Sequence, residues 1–294
     1  ESVDGYNTLA EHFPSGLTDP TVVIASAERA DAVQRAIAET PGVVSVAPAG
    51  TSDGLRQWSV VLAASPASEQ AFDTVDALRE AVHTADPSGL VGGSDAKARD
   101  AAAAAQHDRL VVVPAILAVV LAVLYVLLRA ALAPLILVAA TVLSALAALG
   151  LGGWASVHVF GFPGLDNTAP LYAFLFLVAL GVDYTIFLVT RAKEETPEHG
   201  TTDGIVRAVS ATGAVITSAG IVLAAVFCVL GVLPLIVLTQ VGIIVGLGIL
   251  LDTFVVRTVV IPALFTLIGP RIWWPSPVTA RERETAVRRG RHAL

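Results

Sequence analysis

Positions 208–251 are 44 consecutive residues in which the only ionisable side chain is Cys228. As one helix they would reach about 66 Å, roughly twice the hydrocarbon core of a bilayer. Backbone groups in lipid must be satisfied within the segment, so a run this long and apolar has to fold back as helices. Gly231-Val232-Leu233-Pro234 is the natural break. It predicts one span from about Gly213 to Leu230 and another starting near Leu235. Leu110 to Leu128 is a further run of 19 residues without a charge, and positions 130–165 hold no acid, Lys or Arg. Leu132 to about Trp154 fits a second span, with Pro134 near its start, where proline is tolerated. A third runs from about Thr168 to Thr190, interrupted only by Asp183. The expectation is an α-helical polytopic bundle of five transmembrane helices.

Only 15% of the residues are charged, against about 25% in a typical soluble domain, and 55% are hydrophobic. Disorder is excluded, and an ordinary soluble enzyme is disfavoured. Charge is unevenly placed: residues 1–108 carry a net −10 and residues 109–294 a net +3. No strongly basic face points to nucleic acid. The expected organisation is an extracytoplasmic domain over 1–108, a transmembrane domain over 109–270 and a basic tail over 271–294.

Lys and Arg in short loops set orientation. Arg129, Arg191, Lys193, Arg207, Arg271, Arg281, Arg283, Arg288, Arg289 and Arg291 all fall on one side of the predicted spans, whereas 155–167 and 231–234 contain neither residue type. That side is expected to be cytoplasmic, in a plasma (inner) membrane, which places 1–108 outside. Trp273 and Trp274 suit the inner interface, and the basic tail can touch anionic membrane lipids. The chain has no methionine and starts at Glu1, without a signal-peptide pattern. It reads as a segment of a longer protein.

Within the acidic part, Thr21–Ala25, Val43–Val46, Trp58–Ala63 and Leu90–Val91 read as short strands. Glu28–Glu39 places Ala30, Val33, Ile37 and Ala38 at helical spacing, and Phe72–Val82 does the same with Phe72, Val75, Leu78 and Val82. The order β-α-β-β-α-β is that of a ferredoxin-like α+β unit. Asp95–His107 reads as a helix leading into the first span.

Few patterns carry chemistry. His12, His83, His107, His158, His199 and His292 form no HExxH and none lies near a cysteine, so no metal or other cofactor is expected. There is neither GxxxxGK[ST] nor GxSxG, and Gly92-Gly93 reads as a turn. The informative residues are ions at bilayer depth, since a carboxylate there costs at least ~2.5–3.5 kcal/mol and marks a functional candidate. Asp183 lies about 12 Å of helix from Arg191, too deep and too short to snorkel easily. Gly181 permits close approach of another helix, and Tyr184 offers a hydroxyl. The bland reading is an Asp that caps or pairs for stability alone. Asp252 and Arg257 form a possible secondary ionic site. Arg257 can equally be an interfacial snorkelling residue, with Asp252 about one turn inside. Five residues apart on an α-helix, the two stand about 140° apart, so a partner for Asp252 is expected from another helix. Thr212, Thr217 and Ser218 read as small polar groups that knit helices together.

Gly181-Val182-Asp183-Tyr184-Thr185-Ile186-Phe187-Leu188, followed by Arg191 and Glu194-Glu195, resembles the Asp-Tyr helix of the MMPL family within the RND transporter superfamily. Ala211-Thr212-Gly213 to Gly220 and Gly248 to Pro262 resemble the next and last helices of that family. Tyr6 to Gly16 and Val91-Gly92-Gly93 resemble its second porter domain. The resemblance covers nearly the whole chain. It implies a plasma-membrane exporter of lipids or other hydrophobic molecules with twelve spans in two halves, driven by proton entry through Asp-Tyr pairs on the fourth and tenth helices. Asp183 and Tyr184 match the second pair, and the partner of this chain would be the N-terminal half of the same transporter. A relay of this kind needs a carboxyl group whose pKa desolvation lifts toward neutrality, and two states with different access. Two other readings exist. A sterol-sensing-type receptor is similar in helix arrangement. An intramembrane aspartyl protease would also carry two membrane Asp residues, but Asp183 follows Gly181-Val182 and Asp252 follows Leu250-Leu251, so neither YD nor GxGD is met.

Overall fold

A computed structural model describes residues 20–162 and 164–275. The expectations placed on Tyr6–Gly16, His12, His292 and the arginines at 281, 283, 288, 289 and 291 lie outside the described residues. The chain divides into two compact units, with the boundary between Gln106 and His107.

In the first unit, β1 (Thr21–Ser26), α1 (Ala30–Glu39), β2 (Val43–Ser52), β3 (Leu55–Leu62), α2 (Glu69–Ala85) and β4 (Leu90–Gly92) precede the start of α3 (Ser94–Leu128). The four strands form one antiparallel sheet in the order β2-β3-β1-β4. β2 runs further than the β-branched residues predicted, through Pro48 to Ser52. Proline is tolerated there because β2 is an edge strand, and its register shifts near Pro48. The β2–β3 hairpin closes on Asp53 (φ 52°) and Gly54 (φ 77°), the two positive-φ positions of a tight turn that matches strand twist. α1 buries Ala30, Val33 and Ile37 against the sheet, while Ala38 is exposed. α2 buries Val75, Leu78 and Val82, with Trp58 of β3 fully enclosed. The Ser68 hydroxyl caps α2 by accepting from Ala71 N at 3.2 Å.

The first turns of α3 belong to this unit. Ala96 is part of its core, Asp95 accepts from Ala67 N at 2.8 Å, and Arg79 grips Asp100 through two bonds of 2.7 and 2.9 Å. Asp86 ties the other end together, accepting from Ser26 N at 2.8 Å and from both the amide and hydroxyl of Ser88.

Among the described residues, four helices are long and apolar enough to cross a membrane: Ser94–Leu128, Leu132–His158, Ala169–Leu230 and Ile236–Trp273. The expected third and fourth spans both lie on the third of these, which a kink divides. α4 is Leu132–His158 and α5 is Ala169–Leu230. At 62 residues α5 would reach about 93 Å, but Gly200 (φ 76°, ψ 171°) breaks the helical backbone within it. α6 (Ile236–Leu251) follows the predicted break, then a π-helical stretch at Asp252–Val260, α7 (Ile261–Ile268) and a closing 3-10 turn.

The contacts between these helices use small residues, as expected where lipid supplies no hydrophobic contrast. A Cβ on Gly152 would sit 2.7 Å from the Ile244 backbone, so α4 and α6 approach to glycine distance. A Cβ on Gly220 would meet the Thr253 hydroxyl at 2.5 Å, which brings α5 equally close to the π-helical stretch.

Two expected outcomes follow from this packing. Gly152→Ala forces apart a backbone contact that cannot yield, so the melting temperature should drop by an amount equivalent to about 1–3 kcal/mol of overpacking. A melt at the parental temperature would place the α4–α6 contact elsewhere. In the first unit, the Ser26 N–H, and after it the Ser88 hydroxyl and N–H, hold the Asp86 carboxyl below its ordinary value. Because the folded pKa is the lower one, this stabilisation is complete above the unfolded value of about 3.9 and disappears as pH falls through the folded value. Hydrogen exchange at β1 amides, corrected for intrinsic rate, should therefore accelerate below pH 4, and Asp86→Asn should flatten that dependence.

Candidate functional site

The site grows from a change of helix type. From Asp252 to Val260 the backbone is π-helical, with residue i bonded to i+5. Thr258 Oγ1 donates to Thr253 O at 3.0 Å and Ile261 N–H donates to Val256 O, both five residues back. In an α-helix, positions 252 and 257 would diverge by about 140°. The π turn stacks them instead, and Arg257 Nη2 donates directly to Asp252 Oδ2. The expectation that Asp252 needs a partner from another helix is corrected: its partner is Arg257, on its own helix. The snorkelling reading of Arg257 is corrected too, since Arg257 is only 4% exposed and Asp252 9%.

α5 supplies the rest. Arg257 Nη2 also donates to Gly181 O at 3.2 Å, a carbonyl that already accepts from Thr185 Oγ1 at 2.7 Å. The Arg257 guanidinium lies 4.6 Å from the centroid of the Tyr184 ring, a cation–π contact in a dry setting. Gly181 faces Thr141 and the Asp252 carboxylate, with a virtual Cβ 3.8 Å from Asp252 Oδ2. A small cavity of about 10 Å³ opens between them, lined by Leu177, Gly181, Tyr184, Asp252 and Arg257.

Three of the four singled-out residues thus meet: Tyr184, Asp252 and Arg257. Asp183 does not. Successive helical residues point about 100° apart, so when Tyr184 turns toward Arg257, Asp183 turns away. It is exposed and has no hydrogen bond or ion pair among the described residues. Thr212 and Ser218, expected to bridge helices, spend their hydroxyl protons on their own helix, at Ala208 O and Val215 O. Among the described residues no three His, Cys, Asp or Glu side chains cluster as a metal site.

Sequence reasoning located these residues but missed how they pair, because it assumed an α-helical period. The available signal was energetic: two opposite charges five apart in an apolar span have no cheaper partner than each other. Breaking a buried pair costs about 3–5 kcal/mol, since one charge is left uncompensated. Arg257→Met should lower stability by that amount in a denaturation series. The double variant Asp252→Asn/Arg257→Met should recover most of it, and additive losses would mean the two do not interact.

Comparison with known proteins matches residues 1–293 to the MMPL family. The chain is 47% identical over 283 residues to ActII-3 of Streptomyces coelicolor, covering 96% of this chain and 40% of that protein. It is 33% identical to the apo-petrobactin exporter of Bacillus anthracis, covering 96% and 40% of the two chains. It is 37% identical to the sulfolipid-1 exporter MmpL8 of Mycobacterium tuberculosis, covering 71% and 20%. The chain therefore spans about 40% of the length of the first two relatives. A match over nearly every residue, joined to paired charges within apolar helices, leads to one conclusion: the chain belongs to the MMPL family.

Proposed function

We propose that this chain is the C-terminal half of a proton-motive-force-driven exporter of lipids or other hydrophobic small molecules. The observation that carries the reading is the buried Tyr184–Arg257–Asp252 cluster on the inner side of the helix whose exposed face holds Asp183. An ionisable group at bilayer depth with no partner of its own is a functional candidate. In this reading the exposed Asp183 meets a helix of the N-terminal half. Protonation removes its charge and lets the two halves repack; deprotonation restores the charge and reverses the change.

The rest of the proposal builds on the same features. α5 makes two crossings that meet at Gly200, giving five in all. The sheet order β2-β3-β1-β4 supports reading the first unit as a ferredoxin-like porter domain. The loop cations support a reading in which this domain is outside an inner membrane and the tail inside. The names of two relatives, a siderophore exporter and a sulfolipid exporter, favour a lipid-like or amphipathic substrate. An aspartyl protease is disfavoured, since Asp252 is neutralised by Arg257 and Asp183 faces away from it.

The test is made in the whole transporter. Asp183→Asn keeps size and hydrogen bonding but cannot carry a proton. Export against an imposed pH gradient should fall at least tenfold while the melting curve stays parental. Tyr184→Phe should lose less, in keeping with one hydrogen bond of ~0.5–1.5 kcal/mol. Asp252→Asn strands Arg257 and should lose export and stability together. A well-folded Asp183→Asn protein that exports at the parental rate would sink the relay.

A further inference from the structure

Arg257 has more donors than the cluster uses. Its Nη2 serves Asp252 and Gly181, but its Nε and Nη1 are buried and have no hydrogen-bond partner. Unpaired buried donors on a cation are costly, and such groups in native structures call for an occupant. Arg257 also lines a second, small cavity of about 20 Å³, walled by the hydroxyl-bearing Thr212, Thr217, Thr253 and Thr258. Thr212 and Thr258 donate their hydroxyl protons to Ala208 O and Thr253 O, so they offer only lone pairs to the space. An occupant that accepts from Arg257 and donates to the Thr212 and Thr258 oxygens satisfies both. Water does both, whereas an anion can only accept. A cavity of about 20 Å³ has room for about one water.

We propose that this threonine-walled cavity is a hydration site on Arg257. Its service as a proton route to the pair rests on the relay reading above; its hydration does not. Thr212, Thr217 and Thr258 then act as positioning residues that hold water against the guanidinium.

Radiolytic hydroxyl labelling of the chain in lipid nanodiscs tests the site directly, because buried side chains label only where water is at hand. Leu188 and Ile216 line the cavity and are 1% and 4% exposed. They should label at least threefold faster than Leu137 and Ile244, which are equally buried elsewhere. Gly213 borders the cavity, and a Cβ there meets nothing within 4 Å, so Gly213→Val can plug the space without a clash. The plug should return both labels to the control rate. Equal rates in the parental chain would overturn the proposal. So would labelling that falls when chloride replaces sulfate in the buffer, because an anion would then be the occupant. In the whole transporter, Thr212→Val should slow proton-driven export at least threefold. Full export by Thr212→Val beside a dead Asp183→Asn would overturn the proton route and leave the relay standing. A silent Asp183→Asn beside intact labelling would overturn the relay and leave the hydration site standing.

Discussion

A charge that cannot reach water must find its opposite, and in the membrane unit this decides the shape of the last long helix. Arg257 and Asp252 sit five residues apart in an apolar span. An α-helix would leave both unpaired at several kcal/mol. Widening the helix to the i→i+5 period stacks them at the expense of poorer backbone geometry. The Gly181 carbonyl and the Tyr184 ring complete the enclosure from α5.

That enclosure requires close helices. Gly220 lets Thr253 of the π-helical stretch lie against α5, and Gly152 lets α4 meet the backbone of α6. Larger residues at these points would move the helices apart and open the ion pair. The same geometry explains why Asp183 and Tyr184, neighbours in sequence, have opposite surroundings. Tyr184 is drawn to the guanidinium, so Asp183 faces outward.

Much of this was legible beforehand. The strands and helices of the first unit follow period-2 and period-3.6 patterns, and Val33, Ile37, Val75, Leu78 and Val82 are buried as their spacing requires. The extension of β2 past Pro48 was not legible, because only an edge position makes proline acceptable, and edges are a property of the sheet. That helix runs from both predicted spans to a kink at Gly200 was not legible either. Charged residues at 191–207 mark an exit from lipid, but helix can persist in water up to Gly200.

The sequence by itself determined that the chain enters a membrane, where its apolar runs break, which residues carry charge at depth, and the family to which they belong. These are local, additive properties: hydropathy sums along a segment, and a glycine or proline acts where it stands. The tertiary structure alone decided which of those charges meet. Pairing depends on the hydrogen-bond period of the helix and on which neighbour packs closely enough to seal the pair, and both were set by the cost of leaving Arg257 and Asp252 apart.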